Sequence, residues 1–157
     1  MNIRFAAVGV VFLMGTSLAV AESGKANTPF QYIDMPVKEV ANRVGVQPNQ
    51  ANNIVFDSAD RHVLLESNGS TVDYVDVEFT NAPPCNPKNE IEAEAVLKSL
   101  GLNPAELELA IKQPGNHTYY DHKRMLKVGV SCNYEGAPLT AAFSRKNYMN
   151  LTSSTKP

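Results

Sequence analysis

Apolar residues recur along this chain at two periods, and the switches between them divide it into helices and strands. Val37, Val40, Ala41 and Val44 stand at i, i+3, i+4 and i+7, a single stripe that predicts a helix over 35–44. Asp34 is its expected N-cap, Pro36 sits in its first turn, and Gly45 stops it. Short strands are predicted over 53–57 and 61–66, with Asn68-Gly69 as a hairpin turn. Beyond it, Asp73, Val75, Val77 and Phe79 alternate with Tyr74, Asp76 and Glu78, a half-buried strand with one acidic face. Such a face is ordinarily the solvated side.

Pro83, Pro84 and Pro87 remove ladder donors, so 81–87 is a rigid connector and not a central strand. A second helix is expected from about Lys88 to Leu100, with Ala93, Val96, Leu97 and Leu100 inward and Glu94 paired to Lys98 outward. Gly101 ends it. Asn103 as N-cap, Pro104 at N1, Glu106 at N3 and a Leu102–Leu107 staple then predict a third helix, stopping at Gln113-Pro114-Gly115. Period two returns in Leu126, Val128, Val130, Cys132 and Tyr134, which alternate with Lys127, Gly129, Ser131 and Asn133. Leu139, Ala141 and Phe143 alternate with Thr140, Ala142 and Ser144. Glu135–Pro138 turns the chain between these two strands, which predicts a hairpin.

The fold class that follows is α+β: an antiparallel sheet packed against two to three short helices. Two stretches echo each other, 39–48 and 94–104, each a helix end followed by Gly, an aliphatic residue, an amide residue and Pro. A duplicated helix-plus-sheet unit would produce the echo, and so would the ordinary chemistry of helix stops and starts. The layout looks like that of tandem helix-plus-sheet periplasmic proteins such as β-lactamase-inhibitor proteins, without a motif that carries a family assignment.

The ends bear on the compartment. Arg4 precedes an apolar run from Phe5 to Leu13, and Ala19-Val20-Ala21 offers small residues at −3 and −1, so residues 1–21 read as a signal peptide cleaved before Glu22. Gly15, Thr16 and Ser17 interrupt the run well short of the roughly 20 apolar residues of a membrane span. Polar, aperiodic residues 22–31 are an expected leader, 32–148 a single domain, and 149–157 a frayed tail. Losing Arg4 leaves 13 basic against 16 acidic residues. No dense basic patch appears, which argues against nucleic acid and anionic membranes as partners. A periplasmic or secreted location lets Cys85 and Cys132 close, and their separation rules out a CxxC redox motif, so the pair is expected to be a structural disulfide.

Chemistry-bearing motifs are scarce. His62, His117 and His122 share no metal-ligand spacing, and no nucleophile elbow, phosphate loop or dinucleotide fingerprint occurs. No catalytic residue, metal or cofactor is therefore assigned. Asn68, Asn116 and Asn150 begin glycosylation sequons whose use depends on the host. One segment concentrates polar and aromatic groups, Asn116 to Arg124, expected as a loop between helix and strand. Within it Tyr119, Tyr120, Asp121, His122 and Arg124 are the candidate binding residues, because Tyr and Arg dominate protein-binding hot spots. The expectation is an exported protein-binding module of inhibitor, immunity or envelope-accessory type, whose partner is another protein such as an enzyme or toxin. Two alternatives stand beside it: a small hydrolase pairing His122 or His117 with Asp121 or another carboxylate, and a carbohydrate or small-ligand binder using Tyr74, Tyr119, Tyr120 and Tyr134.

Overall fold

A computed structural model describes residues 28–58 and 60–148. The expected signal peptide, most of the leader and the tail lie outside these residues. The described chain runs α1 (Val37–Val44), β1 (Ile54–Asp57), β2 (Arg61–Ser67), β3 (Val72–Phe79), α2 (Ala93–Ser99), β4 (Glu108–Gln113), β5 (Asn116–Asp121), β6 (Leu126–Ser131) and β7 (Thr140–Ser144). All seven strands join one antiparallel sheet in the order β1-β2-β3-β7-β6-β5-β4. Register sets the core. Val63, Val77, Ala141 and Val130 lie opposite one another across four strands, and Leu65, Val75, Phe143 and Val128 form the next row. All are fully buried, together with Val40 of α1 and Leu97 and Leu100 around α2, while Ala41 and Val96 are nearly so. Each such aliphatic side chain stabilises the fold by roughly 1.5–3 kcal/mol. Both helices therefore cover the same face of the sheet.

The α+β class, the antiparallel sheet and the β6–β7 hairpin agree with the sequence reading; six local expectations do not. Asp34 is not the cap of α1. It has φ +68°, and residues 34–37 hydrogen-bond to Ser70 and Val72 at the start of β3, so the helix begins two residues later with Pro36 at the N-cap. The second helix starts at Ala93, not Lys88, because the preceding backbone is committed elsewhere: Asn86 Oδ1 accepts from the Lys88 N–H, and the Asn89 carbonyl accepts from Gly115.

The third helix is replaced by one 3-10 turn, Pro104–Glu106, and the edge strand β4. The cap chemistry is present, since Asn103 accepts from the Ala105 N–H and donates to Glu106. It starts a single turn, after which pairing with β5 wins. Residues 116–121, expected as loop, are strand β5. At the other end, Tyr134 falls past β6 and is exposed, while Cys132 stays buried as its alternation requires. Pro29–Tyr32, mostly within the expected leader, is a 3-10 turn that places Phe30 against Phe143 at 5.7 Å.

The proline connector is clasped to the sheet. Cys85 and Cys132 form the expected disulfide. Cys85 N–H donates to the Ala137 carbonyl, and the Cys85 carbonyl accepts from Gly136. Gly115, at φ +67° in the β4–β5 turn, lies against Pro87. Near the other end of β7, Arg145 donates to the Asp34 carboxylate and to the Arg124 carbonyl. That links the entry to α1 with the β5–β6 turn.

Candidate functional site

The segment singled out in sequence is strand β5 and the turn that follows it, and its side chains part to opposite faces. Tyr119 and Asp121 point to the core face and are buried, as is His117. Asp121 accepts from the Arg124 backbone N–H and guanidinium, the latter at 2.7 Å. Arg124 also lies over the Phe30 ring, 5.1 Å from its centroid. Arg124 and Asp121 are thus held by the fold, and Tyr119 is a wall of the interior. Burial, then the Glu94 carboxylate, pushes the Tyr119 hydroxyl up. Of the five, His122 is exposed and Tyr120 and Arg124 are partly exposed, the Arg124 guanidinium being committed to Asp121.

His122 has a carboxylate partner, though not Asp121. Its Nε2 is hydrogen-bonded to the Glu108 carboxylate at 2.5 Å, and its Nδ1 to the Tyr148 hydroxyl at 3.0 Å. The Tyr120 ring completes the cluster, 6.3 Å from His122 and 6.1 Å from Tyr148. His122 and Glu108 are each more than half exposed. General acid–base chemistry gains from a dry, concave setting, and this pair stands in solvent. Among the described residues no group of three or more His, Cys, Asp or Glu side chains is arranged to hold a metal ion.

What the strands build together is larger than the hairpin. With both helices on the core face, the described residues leave the opposite face of the sheet open. Register aligns Tyr74, Ser144, Lys127 and Tyr120 in one row across β3, β7, β6 and β5. Asp76, Ala142, Gly129 and Thr118 form the next row, and Glu78, Thr140, Ser131 and Asn116 the third. The two central strands present only small side chains and Lys127 here. Ser131 and Thr140 spend their hydroxyls on each other at 3.0 Å. The result is a trough of about 320 Å³ with Gly129, Ala142 and Thr118 on its floor, and with Tyr74, Lys127 and Asn147 at its sides. Tyr74 and Tyr120 stand three strand spacings apart, about 14 Å, on either side.

The β3 bank is acidic. Burial, then the Glu78 and Glu66 carboxylates, raise the Asp76 carboxyl against the opposing pull of the Val77 backbone N–H and His62. Burial, then Asp76 and Glu66, push the Tyr74 hydroxyl to about 12. The carboxylates crowd the β3 side of the open face, beside the trough. Asp76 has no cation in its own row across β7 and β6, where Ala142 and Gly129 stand, whereas His62 lies opposite Glu78 and Lys127 shares the row of Tyr74. The signal was present in sequence as the small residues alternating with core residues on β6 and β7. Only register shows that they adjoin. The four tyrosines considered as a ligand groove do not converge: Tyr74 and Tyr120 share the open face, Tyr119 faces inward, and Tyr134 is 65% exposed beyond β6.

Comparison with protein families, with characterised proteins and with solved structures finds no match to this chain. No helix of the described residues is long and apolar enough to cross a membrane.

Proposed function

We propose that this chain is an exported protein-binding module, of inhibitor, immunity or envelope-accessory type, which grips a convex, basic segment of a partner protein across the open sheet face. The observation that carries the reading is the small-residue trough with its acidic bank. A sheet face floored by Gly, Ala, Ser and Thr admits a protruding backbone, and rigid tyrosines beside it supply contact area at low entropic cost. Asp76 and Glu78 call for Lys or Arg on the incoming segment, which also steers encounter. Tyr120 and His122, the candidate binding residues that reach this side, stand at the far rim. The compartment rests on the features of residues 1–21, and the disulfide is compatible with it.

Strand order supports reading the sequence echo as a duplication. Each helix precedes a three-strand meander, β1-β2-β3 and β4-β5-β6, and the two meanders run inward from opposite edges with β7 between them.

Filling the trough tests the function. A Cβ on Gly129 meets no atom within 4 Å, and residue 142 lies directly opposite Asp76, so Gly129→Arg and Ala142→Arg should fold. The disulfide-bonded protein is expected to retain one partner from envelope or culture extract of the cells that make it, and both variants should lose that same partner. Retention undiminished by either variant, or no protein retained by the wild type, overturns the reading.

A further inference from the structure

On the other side of the sheet, at the β4 edge, the residues leading into α2 enclose a second cavity of about 530 Å³. That volume is ordinary for a small-ligand site. Its polar wall holds Glu90, Glu92 and Glu94, with Lys112 as the one ammonium. Its apolar wall holds Ile91 and Leu109, and His117 and Tyr119 close the inner end. Leu109 is 48% exposed, an unusual share for a leucine beside a cleft.

His117 is the group that the fold leaves unfinished. Its side chain is only 8% exposed. Nδ1 contacts the Tyr119 hydroxyl at 3.3 Å, whereas Nε2 is buried and has no hydrogen-bond partner. The nearest carboxylate oxygen, on Glu90, is 3.7 Å away, too far for a hydrogen bond. A third atom about 2.9 Å from each would bridge that gap once the exposed Glu90 side chain swings aside to uncover Nε2. Buried polar atoms are almost always paired, so one without a partner that faces a cavity marks a place for a visiting group.

We propose that this cavity binds an organic cation, an ammonium on a short apolar stem. When the Tyr119 hydroxyl accepts from Nδ1–H, the Nε2 lone pair and the Glu90 carboxylate both accept from the visiting N–H groups. Glu92 and Glu94 add negative potential that Lys112 only partly offsets. The same carboxylates exclude anions. The stem lies along Ile91 and Leu109 and removes their apolar surface from water. A bare metal ion is the poorer occupant, because no three ligating side chains are grouped here. Water could bridge Nε2 to Glu90, but it would neither balance the carboxylates nor cover Leu109. The site is independent of the trough, which lies on the opposite face of the sheet.

Titration of the purified, disulfide-bonded protein, followed by amide and imidazole nuclear magnetic resonance, tests the assignment. Pentylammonium chloride is expected to give saturable shifts at His117, Ala93 and Leu109 with a Kd of about 1 mM or below. Pentanol and pentanoate should give none in that range. Glu90→Gln, an exposed substitution that leaves the core intact, should weaken the amine by about tenfold, and His117→Phe should abolish the response. A parallel titration with acetyl-Ala-Lys-Ala-amide separates the two sources of such a cation. Tighter binding of the peptide identifies a partner's lysine as the occupant, and tighter binding of the amine identifies a free ligand. Equal response to pentanol, no saturation by about 10 mM amine, or unchanged affinity in Glu90→Gln overturns the proposal. Each of these readouts is separate from partner capture by the trough.

Discussion

The backbone of Pro87 occupies the space that a side chain on Gly115 would need: a Cβ there would stand 2.5 Å from the Pro87 carbonyl oxygen and 2.6 Å from its Cα. Gly115 also holds φ +67°, which disfavours any residue with a Cβ. Both penalties fall on backbone that cannot rotate away. Gly115→Ala is therefore expected to cost about 3 kcal/mol, the combined scale of local backbone strain and overpacking. Urea unfolding measures it; a loss below about 1 kcal/mol would mean that the connector does not seat on the β4–β5 turn as described.

The disulfide closes the same clasp from the other side. Replacing Cys85 and Cys132 together by Ala should destabilise the protein by about 4 kcal/mol, the chain-entropy figure for a loop of this length, with the sequence separation of 47. Because both features hold 81–89 against β5 and β6, the losses from Gly115→Ala and from the cysteine pair should not add. Additive losses would show that the two contacts act independently.

Arg124 and Tyr120, neighbours in the cluster picked from sequence, should respond in opposite ways to truncation. Asp121 is 2% exposed and takes its ion pair from Arg124, so Arg124→Ala strands a buried carboxylate. We expect a cost of about 2 kcal/mol, below the usual figure for a buried pair because Arg124 itself is partly solvated. Tyr120→Ala removes a half-buried ring from the open face and should cost about 1 kcal/mol or less, while weakening partner capture. Thermal denaturation beside capture distinguishes them: a stable Arg124→Ala protein that fails to bind would return Arg124 to the binding surface.

Elements with a buried face were readable one strand or helix at a time. The stripe of α1 and the alternation of β3, β6 and β7 each place apolar residues on the core at the right period. β5 was hidden because its inward residues, His117, Tyr119 and Asp121, are polar or amphipathic and are accommodated by particular partners. β4 has no buried residue at all, so no period could mark it, and the cap signal at Asn103 was free to suggest a helix. The trough was beyond single-strand reasoning for another reason. Its floor is Thr118, Gly129 and Ala142, residues from three strands whose adjacency exists only once β7 returns between β3 and β6.

Asp76 should oppose stability and serve binding, and pH separates the two roles. Its folded-state carboxyl is raised above the ordinary value of 3.8, by burial first and then by Glu78 and Glu66. The folded protein therefore holds this proton more tightly than the unfolded chain. The stabilisation that results is fully present below the ordinary value and is lost as pH rises through the raised one. Asp76→Asn removes the charge at nearly constant shape, so its urea midpoint should exceed that of the wild type at pH 7 and converge on it near pH 3. A basic partner reverses the sign for the complex, since its Lys or Arg favours the ionised form that the free protein resists. Asp76→Asn should then hold the partner less tightly at pH 7 while unfolding later. A midpoint raised equally at both pH values would remove the titration argument, and an unweakened complex would remove Asp76 from the contact.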